Sequence, residues 1–470
     1  MSLEERPHLS VAICGHVGSG KSTIGAQLLN SLRPPVRRGL LTPPRRVEGA
    51  ADVQIFLDTR PEEREMGRTV ICKMKEFVTE HWRYTLIDVP GHQRYITNMI
   101  AGASLADAAL LLVPADDTFA WSLCSAGGGV PEGGSRQHAR VLHTFGVTQL
   151  CIVVTKLDGL APAEQPARFR EVVQETKRSL RKSGWKSDFL EQNVAFVPEA
   201  GHRNFNITSR SDYFPWWTGQ DVQLPEVRGS ALVHIHCLYD VLDAIFAPPM
   251  RCINAPLLMT VLHVVPVYRC LVGRVEQGTL RHWKVKDERT VVLPRQPYST
   301  KSARVGSIHI YGQWMDEANA GDILSLDGIF GYPAPKRGQA LMLLEEEERY
   351  GELRSFEAQV VLLFSPSDMK LGHVALACVC TGRAPVRLLD IKWKISKETG
   401  GRKVEGPQKL RPNDMALCTF QPLKPFLCDS FGSCSKLARI LFVEHHQVMM
   451  LGKVVCCHRK EDNDKGGKKK

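Results

Sequence analysis

The sequence predicts an α/β P-loop domain followed by two all-β barrel domains. Three observations carry that prediction. A phosphate-loop pattern, Gly15 to Ser22, follows an apolar run at Leu9 to Cys14 and precedes a helical pattern. The first half of the chain alternates short β-branched runs with segments of helical periodicity, the signature of a parallel sheet covered on both faces. After Pro248 and Pro249, short apolar runs broken by turn residues replace the helical periodicity.

Leu9 to Cys14 reads as a strand, and Ile24, Leu28, Leu29 and Leu32 read as one face of a helix. Residues 33–46 hold four prolines and five arginines, which predicts an extended basic loop. Tyr84 to Asp88, Ala109 to Val113 and Leu150 to Val154 read as further strands of the same sheet. Residues 125–135 are glycine-rich and are expected to form a flexible surface excursion. Phe169, Val172, Val173, Thr176 and Leu180 fall at helical spacing and predict a helix over 165–182. Pro256 to Val265, Arg304 to Tyr311 and Phe356 to Phe364 predict strands of the β half. The expected domains are 1–247, 254–346 and 351–458, with the proline pair as linker and a charged, unfolded tail at 459–470.

Length and composition bound the function. A chain of 470 residues exceeds what one core supports. A formal charge of +11 favours polyanionic partners, RNA first among them. The most apolar stretch, Ala108 to Ala115, is the length of a buried strand and far short of a membrane span. Met1 to Ser10 contains Glu4 and Glu5 and no apolar run, so the expected location is the cytoplasm. The 14 cysteines form no CxxC pair, and Cys456, Cys457 and His458 lack the further ligands a zinc site needs.

The motifs specify a nucleotide. In Gly15, His16, Val17, Gly18, Ser19, Gly20, Lys21, Ser22 and Thr23, glycines let backbone N–H groups turn inward around phosphates. Lys21 is placed to neutralise the β and γ oxygens, and the Ser22 hydroxyl to ligate Mg²⁺. Asp88 ends a strand and opens Asp-Val-Pro-Gly-His, where it can hold Mg²⁺ through water while Gly91 donates its N–H to the γ-phosphate. His92 would orient the attacking water. Thr155, Lys156 and Asp158 follow a strand at its C-terminal end, where ligands bind in open sheets. The Asp158 carboxylate can accept from N1–H and the exocyclic amine of guanine, a donor pair adenine lacks.

The stretches GHVGSGKST, DVPGHQRYITNMIAGASLADAALLLV, SRQHARVLHTFGVTQLCIVVTKLD and FVPEAG resemble translational GTPases of the elongation factor 1-alpha class. The resemblance continues through GRVEQGTL, AGDILSL, EAQVVLL and GPQKLRPNDMAL in the β half. It implies a P-loop GTPase domain with two β-barrels, a GTP/GDP cycle with Mg²⁺, the ribosome and aminoacyl-tRNA as partners, and an exchange factor. No membrane or DNA partner is implied. By position, Thr69 matches the switch threonine that binds Mg²⁺, His92 the catalytic histidine, and Ala200 with Gly201 the loop that touches the guanine base.

The chain departs from the family at several of these positions. Gly18 stands for an aspartate, Thr155 for an asparagine and Ala200 for a serine. Between Lys21 and Thr69 the chain is shorter than in elongation factors. In LARILFVEHHQVMMLG, Val443 and His446 stand where those factors carry arginines of a tRNA-contacting strand. A release- or rescue-type GTPase carrying a tRNA-mimicking protein, or a GTP-binding scaffold, are the alternatives.

Overall fold

A computed structural model describes residues 6–32, 69, 72–124, 132–225, 228–265, 270–282, 291–292, 302–303, 307–311, 313–327, 336–343, 352–365, 368–398 and 400–459. The proline-arginine loop at 33–46, residues 125–131 and the tail beyond 459 lie outside them. The chain divides into two units, Met1–Pro249 and Met250–Lys470, so the division falls directly after the proline pair.

The first unit is a six-stranded sheet. Its strands are β1 (His8–Gly15), β2 (Lys73–Val78), β3 (Arg83–Asp88), β4 (Ala108–Pro114), β5 (Gln149–Thr155) and β6 (Ala195–Pro198), in the order β2-β3-β1-β4-β5-β6. All neighbours are parallel except β2, which runs antiparallel to β3. The central strands β1 and β4 are buried almost throughout, which is why they read as continuous apolar runs rather than alternating ones. Helices α1 (Lys21–Ser31), α2 (Ile96–Ala103), α3 (Phe119–Leu123), α4 (Gly134–Phe145) and α5 (Gln165–Lys182) accompany the sheet. Ile24 and Leu28 of α1 pack with Val11 and Ile13 of β1 and Ala195 and Val197 of β6 in one core. Helix α5 spans the predicted residues. It buries Phe169, Val172, Thr176 and Leu180, carries a proline in its first turn, and has Arg181 and Lys182 near its C-terminal dipole.

Part of the glycine-rich expectation fails. Gly133 is the N-cap of α4 and Gly134 its first residue, both buried. A side chain on Gly133 would strike the Ser122 and Trp121 carbonyls. These glycines serve close packing rather than mobility. Arg459 likewise belongs to the last strand rather than to a tail, pairing opposite Leu353 and donating from Nη2 to the Cys428 carbonyl at 2.9 Å.

The second unit is all β. Its first part is an eight-stranded antiparallel sheet around Met259, Val261, Leu271 and Leu324. Its second part closes. Val374–Val379, Arg439–Glu444, Gln447–Arg459, Leu353–Leu362, Met415–Pro422 and Gly382–Ile395 pair in that order, and Gly382–Ile395 pairs back onto Val374–Val379 as a six-stranded barrel. The two parts share a core, because Leu258, Ala340 and Met342 of the first pack among Val379, Phe442 and Met450 of the second. Thr381 also donates to the Val261 carbonyl at 2.9 Å.

Candidate nucleotide site

The strand order reverses beside β1, so its C-terminal end opens into a crevice where a ligand can sit. Gly15 ends β1, and the turn through Gly20 delivers the chain into α1. Gly18 adopts φ +74°, so glycine suits this position and a side chain there would be strained. Val17 faces Gly91 through its backbone nitrogen.

Lys21 is 7% exposed, and its Nζ donates to the His16 carbonyl at 2.6 Å. Burial pulls its pKa down to about 8, against the opposing pull of Asp88. Among the described residues its one hydrogen-bond partner is that carbonyl, so the buried ammonium is primed for phosphate oxygens, which would supply the counter-charge. Gly91 lies against it, since a side chain at 91 would collide with Lys21 Nζ and approach Gly15 O and Val17 N. That closeness is what the Asp-Val-Pro-Gly turn requires of its glycine.

Three oxygens converge next to the lysine. Ser22 Oγ donates to Asp88 Oδ2 at 3.1 Å and lies 3.3 Å from Thr69 Oγ1. Asp88 is fully buried and Thr69 nearly so. Two hydroxyls and one carboxylate make a hard donor set that suits Mg²⁺, whose remaining positions go to water and phosphate. His92 stands at the rim. Its Nδ1 accepts from Arg94 N at 3.2 Å, which leaves the proton of the neutral ring on Nε2.

Residues the motifs do not mark support this end from behind. Gly15 N donates to His138 Nδ1 at 2.9 Å, His16 N to Ser135 Oγ at 3.0 Å, and Gly134 N to His16 Nδ1 at 3.2 Å. Burial, with Lys21 and His16 adding to it, pushes the His138 pKa well down. The ring stays neutral and keeps its acceptor. Gln93 Nε2, from the turn after His92, donates to the Glu132 carbonyl at 3.0 Å.

The base end forms at the C-terminal ends of β5 and β6. Thr155 Oγ1 donates to the Ser19 carbonyl at 3.0 Å, so the threonine that replaces asparagine still ties this loop to the phosphate loop. Lys156 has φ +63°, and its Nζ meets Asp116 Oδ2 at 2.6 Å. Asp158 is part-exposed, and no hydrogen bond engages its carboxylate among the described residues. Ala200 and Gly201 follow β6, with Gly201 against Thr23 and Ile24 of α1. The structure thus brings Lys21 and Gly91 together and Ser22, Thr69 and Asp88 together, and ties Thr155 to the phosphate loop, while Asp158 stands three residues further on, beyond the end of β5. The motifs assign no role to Asp116, Glu199, Ser135 or His138, although Ser135 and His138 lie within the SRQHAR segment and Glu199 within FVPEAG.

The Elongation factor Tu GTP binding domain matches residues 6–266, and the GTP-eEF1A C-terminal domain-like family matches 355–455. The chain is 30% identical over 462 residues to the Elongation factor 1-alpha of Ignicoccus hospitalis, covering 96% of each protein. It is 29% identical over 457 residues to that of Nanoarchaeum equitans, covering 95% of this chain and 96% of that protein. Among solved structures, the GTPase-like domain of S. cerevisiae Ski7 bound to GTP aligns with a TM-score of 0.69 at 16% identity, covering 96% of this chain and 98% of that one. At that identity the likeness is one of fold.

Proposed function

The chain belongs to the translational GTPases built on the elongation factor Tu GTP-binding domain, as a divergent relative of elongation factor 1-alpha. From that premise we propose that it delivers aminoacyl-tRNA to the ribosome while holding GTP and leaves after hydrolysis to GDP and phosphate. The observation that carries this reading is coverage: the likeness to Elongation factor 1-alpha runs through the nucleotide unit and both β parts, over 96% of each chain.

In this reading Lys21 neutralises the β and γ oxygens, and Gly91 donates its N–H to the γ-phosphate. Ser22, Thr69 and Asp88 hold Mg²⁺, which when bound offsets the negative charge on the phosphates. His92 presents Nε2–H toward the attacking water and fixes its approach to the γ-phosphorus, opposite the departing β–γ bridging oxygen. Asp158 selects guanine, and the Ala200–Gly201 loop touches the base. The expected setting is the cytoplasm, with the ribosome and an exchange factor as partners. Among the described residues no helix is long and apolar enough to cross a membrane.

One observation favours the second reading, a release- or rescue-type GTPase with a tRNA-mimicking protein as cargo. Val443 is 6% exposed and pairs with Leu376 and Val448 inside the closed barrel, so this position contributes no surface charge to RNA. The two readings separate in one assay. The GTP-bound protein is expected to slow spontaneous deacylation of aminoacyl-tRNA relative to the GDP-bound protein. Tight GTP binding with no protection would remove the delivery reading and leave the second.

A further inference from the structure

Glu199 follows β6 directly, and its N–H donates to the Val154 carbonyl at 2.9 Å, so strand pairing fixes where its side chain goes. Alternation along β6 puts it on the face of Ala195 and Val197, which pack with Ile24 and Leu28 of α1. The residue is 0% exposed. Neither carboxylate oxygen has a hydrogen-bond partner among the described residues. A Cβ on Gly201 would lie 3.3 Å from Glu199 Oε1 and 3.2 Å from Thr23 Cγ2, so the carboxyl is wedged between the Ala200–Gly201 loop and the first turn of α1.

Among the described residues Asp158 is the charged group that acts on it, while α1 and the loop present Thr23, Ile24 and Gly201, none of them titratable. An ionised carboxylate left unpaired in such a place is strongly disfavoured. Burial, with the charge of Asp158 adding to it, pushes the Glu199 pKa well above the usual carboxylate range. The packing observed for the loop is compatible with the acid and opposed to its anion.

We propose that Glu199 is a positioning residue of the guanine site: as the neutral acid it lets the Ala200–Gly201 loop pack onto α1, and a charge on it, facing Asp158, lifts the loop and loosens the base. This rests on the assignment of Asp158, Ala200 and Gly201 to guanine. Nucleotide binding then takes up a proton wherever the open loop has Glu199 ionised, so guanine affinity falls as pH rises.

The experiment compares GDP affinity of the wild type and Glu199→Gln from about pH 6.5 to about pH 10. The two are expected to agree at neutral pH. In the alkaline range the wild type falls more steeply, by up to about tenfold per pH unit for one linked proton. Lys21 and the guanine N1 proton titrate in both proteins and cancel in the comparison. Inorganic pyrophosphate, which engages Lys21 but not the base loop, is expected to show no difference. Glu199→Leu, equally uncharged, is expected to behave like Gln. Parallel GDP curves would overturn the proposal, as would a Leu variant that loses about tenfold at neutral pH while Gln does not, because that pattern marks a hydrogen-bond donor. Asp158→Ala separates the underlying assignment. If it abolishes discrimination of GDP from ADP while the GDP curves stay parallel, only the role of Glu199 fails; if discrimination is untouched, the guanine site itself is misplaced.

Discussion

The phosphate end and the base end of the nucleotide site are held by different kinds of interaction. At the phosphate end, backbone N–H groups of Gly15 and His16 donate into the buried side chains His138 and Ser135, and a buried lysine faces a fully buried aspartate. At the base end, the corresponding support is an ion pair between Lys156 and Asp116 with side chains 36% and 37% exposed, beside the Glu199 carboxyl, which has no hydrogen-bond partner among the described residues. Dry neutral hydrogen bonds are insensitive to salt and strongly sensitive to deletion, whereas exposed charge pairs are the reverse. The contrast therefore makes the scaffold of the phosphate loop insensitive to salt and that of the base loop adjustable.

The largest effect that tests this division belongs to His92. Replacing it with Ala is expected to lower ribosome-stimulated GTP turnover by about 10²- to 10⁴-fold while nucleotide affinity stays within about twofold. A single-turnover assay with separately measured GTP affinity resolves the two. Unchanged turnover would move the hydrolytic step away from this rim.

A smaller effect attaches to His138. His138→Leu leaves the Gly15 N–H buried without an acceptor, at a cost of about 1–3 kcal/mol. Affinity for GDP and for inorganic pyrophosphate is expected to fall together, by roughly tenfold for each 1.4 kcal/mol that reaches the phosphate loop. His138→Asn, which keeps an acceptor, is expected to recover part of the loss. A fall for GDP alone would break the assignment of His138 to the phosphate end.

The same division separates what is legible in the sequence from what is not. Lys21, Ser22, Asp88 and Asp158 lie in short contiguous motifs, because a turn at a strand end places neighbours in sequence around one ligand group. The strands β1, β3, β4 and β5 and helix α5 are legible for a similar reason, since burial on both faces leaves a continuous apolar run in a strand and burial on one face leaves a periodic stripe in a helix. Thr69 needs the family resemblance, having no local pattern of its own. His138 and Asp116 act across 123 and 40 residues of chain, and no spacing rule links such partners. Glu199 reads as an ordinary acidic residue at a strand end, because only its surroundings reveal that neither oxygen is met. Gly133 and Gly134 mislead in the opposite sense: their composition matches a flexible loop, while their role is tight approach to α3 and to His16.

The smallest effect concerns Asp116, and its sign and salt dependence are what make it informative. Thr118 N donates to Asp116 Oδ1 at 3.1 Å, and the Thr118 hydroxyl donates to the same oxygen, which sets the carboxylate to receive Lys156. Lys156 holds a left-handed backbone between Thr155 and Asp158, so fixing its ammonium also restricts how that turn relaxes. Pairs this exposed contribute about 0–1 kcal/mol, so Asp116→Asn is expected to speed GDP release by no more than about fivefold. Because the difference arises from a screened charge pair, raising ionic strength should bring the wild type toward the variant while pyrophosphate affinity of the two stays equal. A difference that persists in high salt would mean that Asp116 shapes the turn through its bonds to Thr118, and the base end would then share the salt-independent character of the phosphate end.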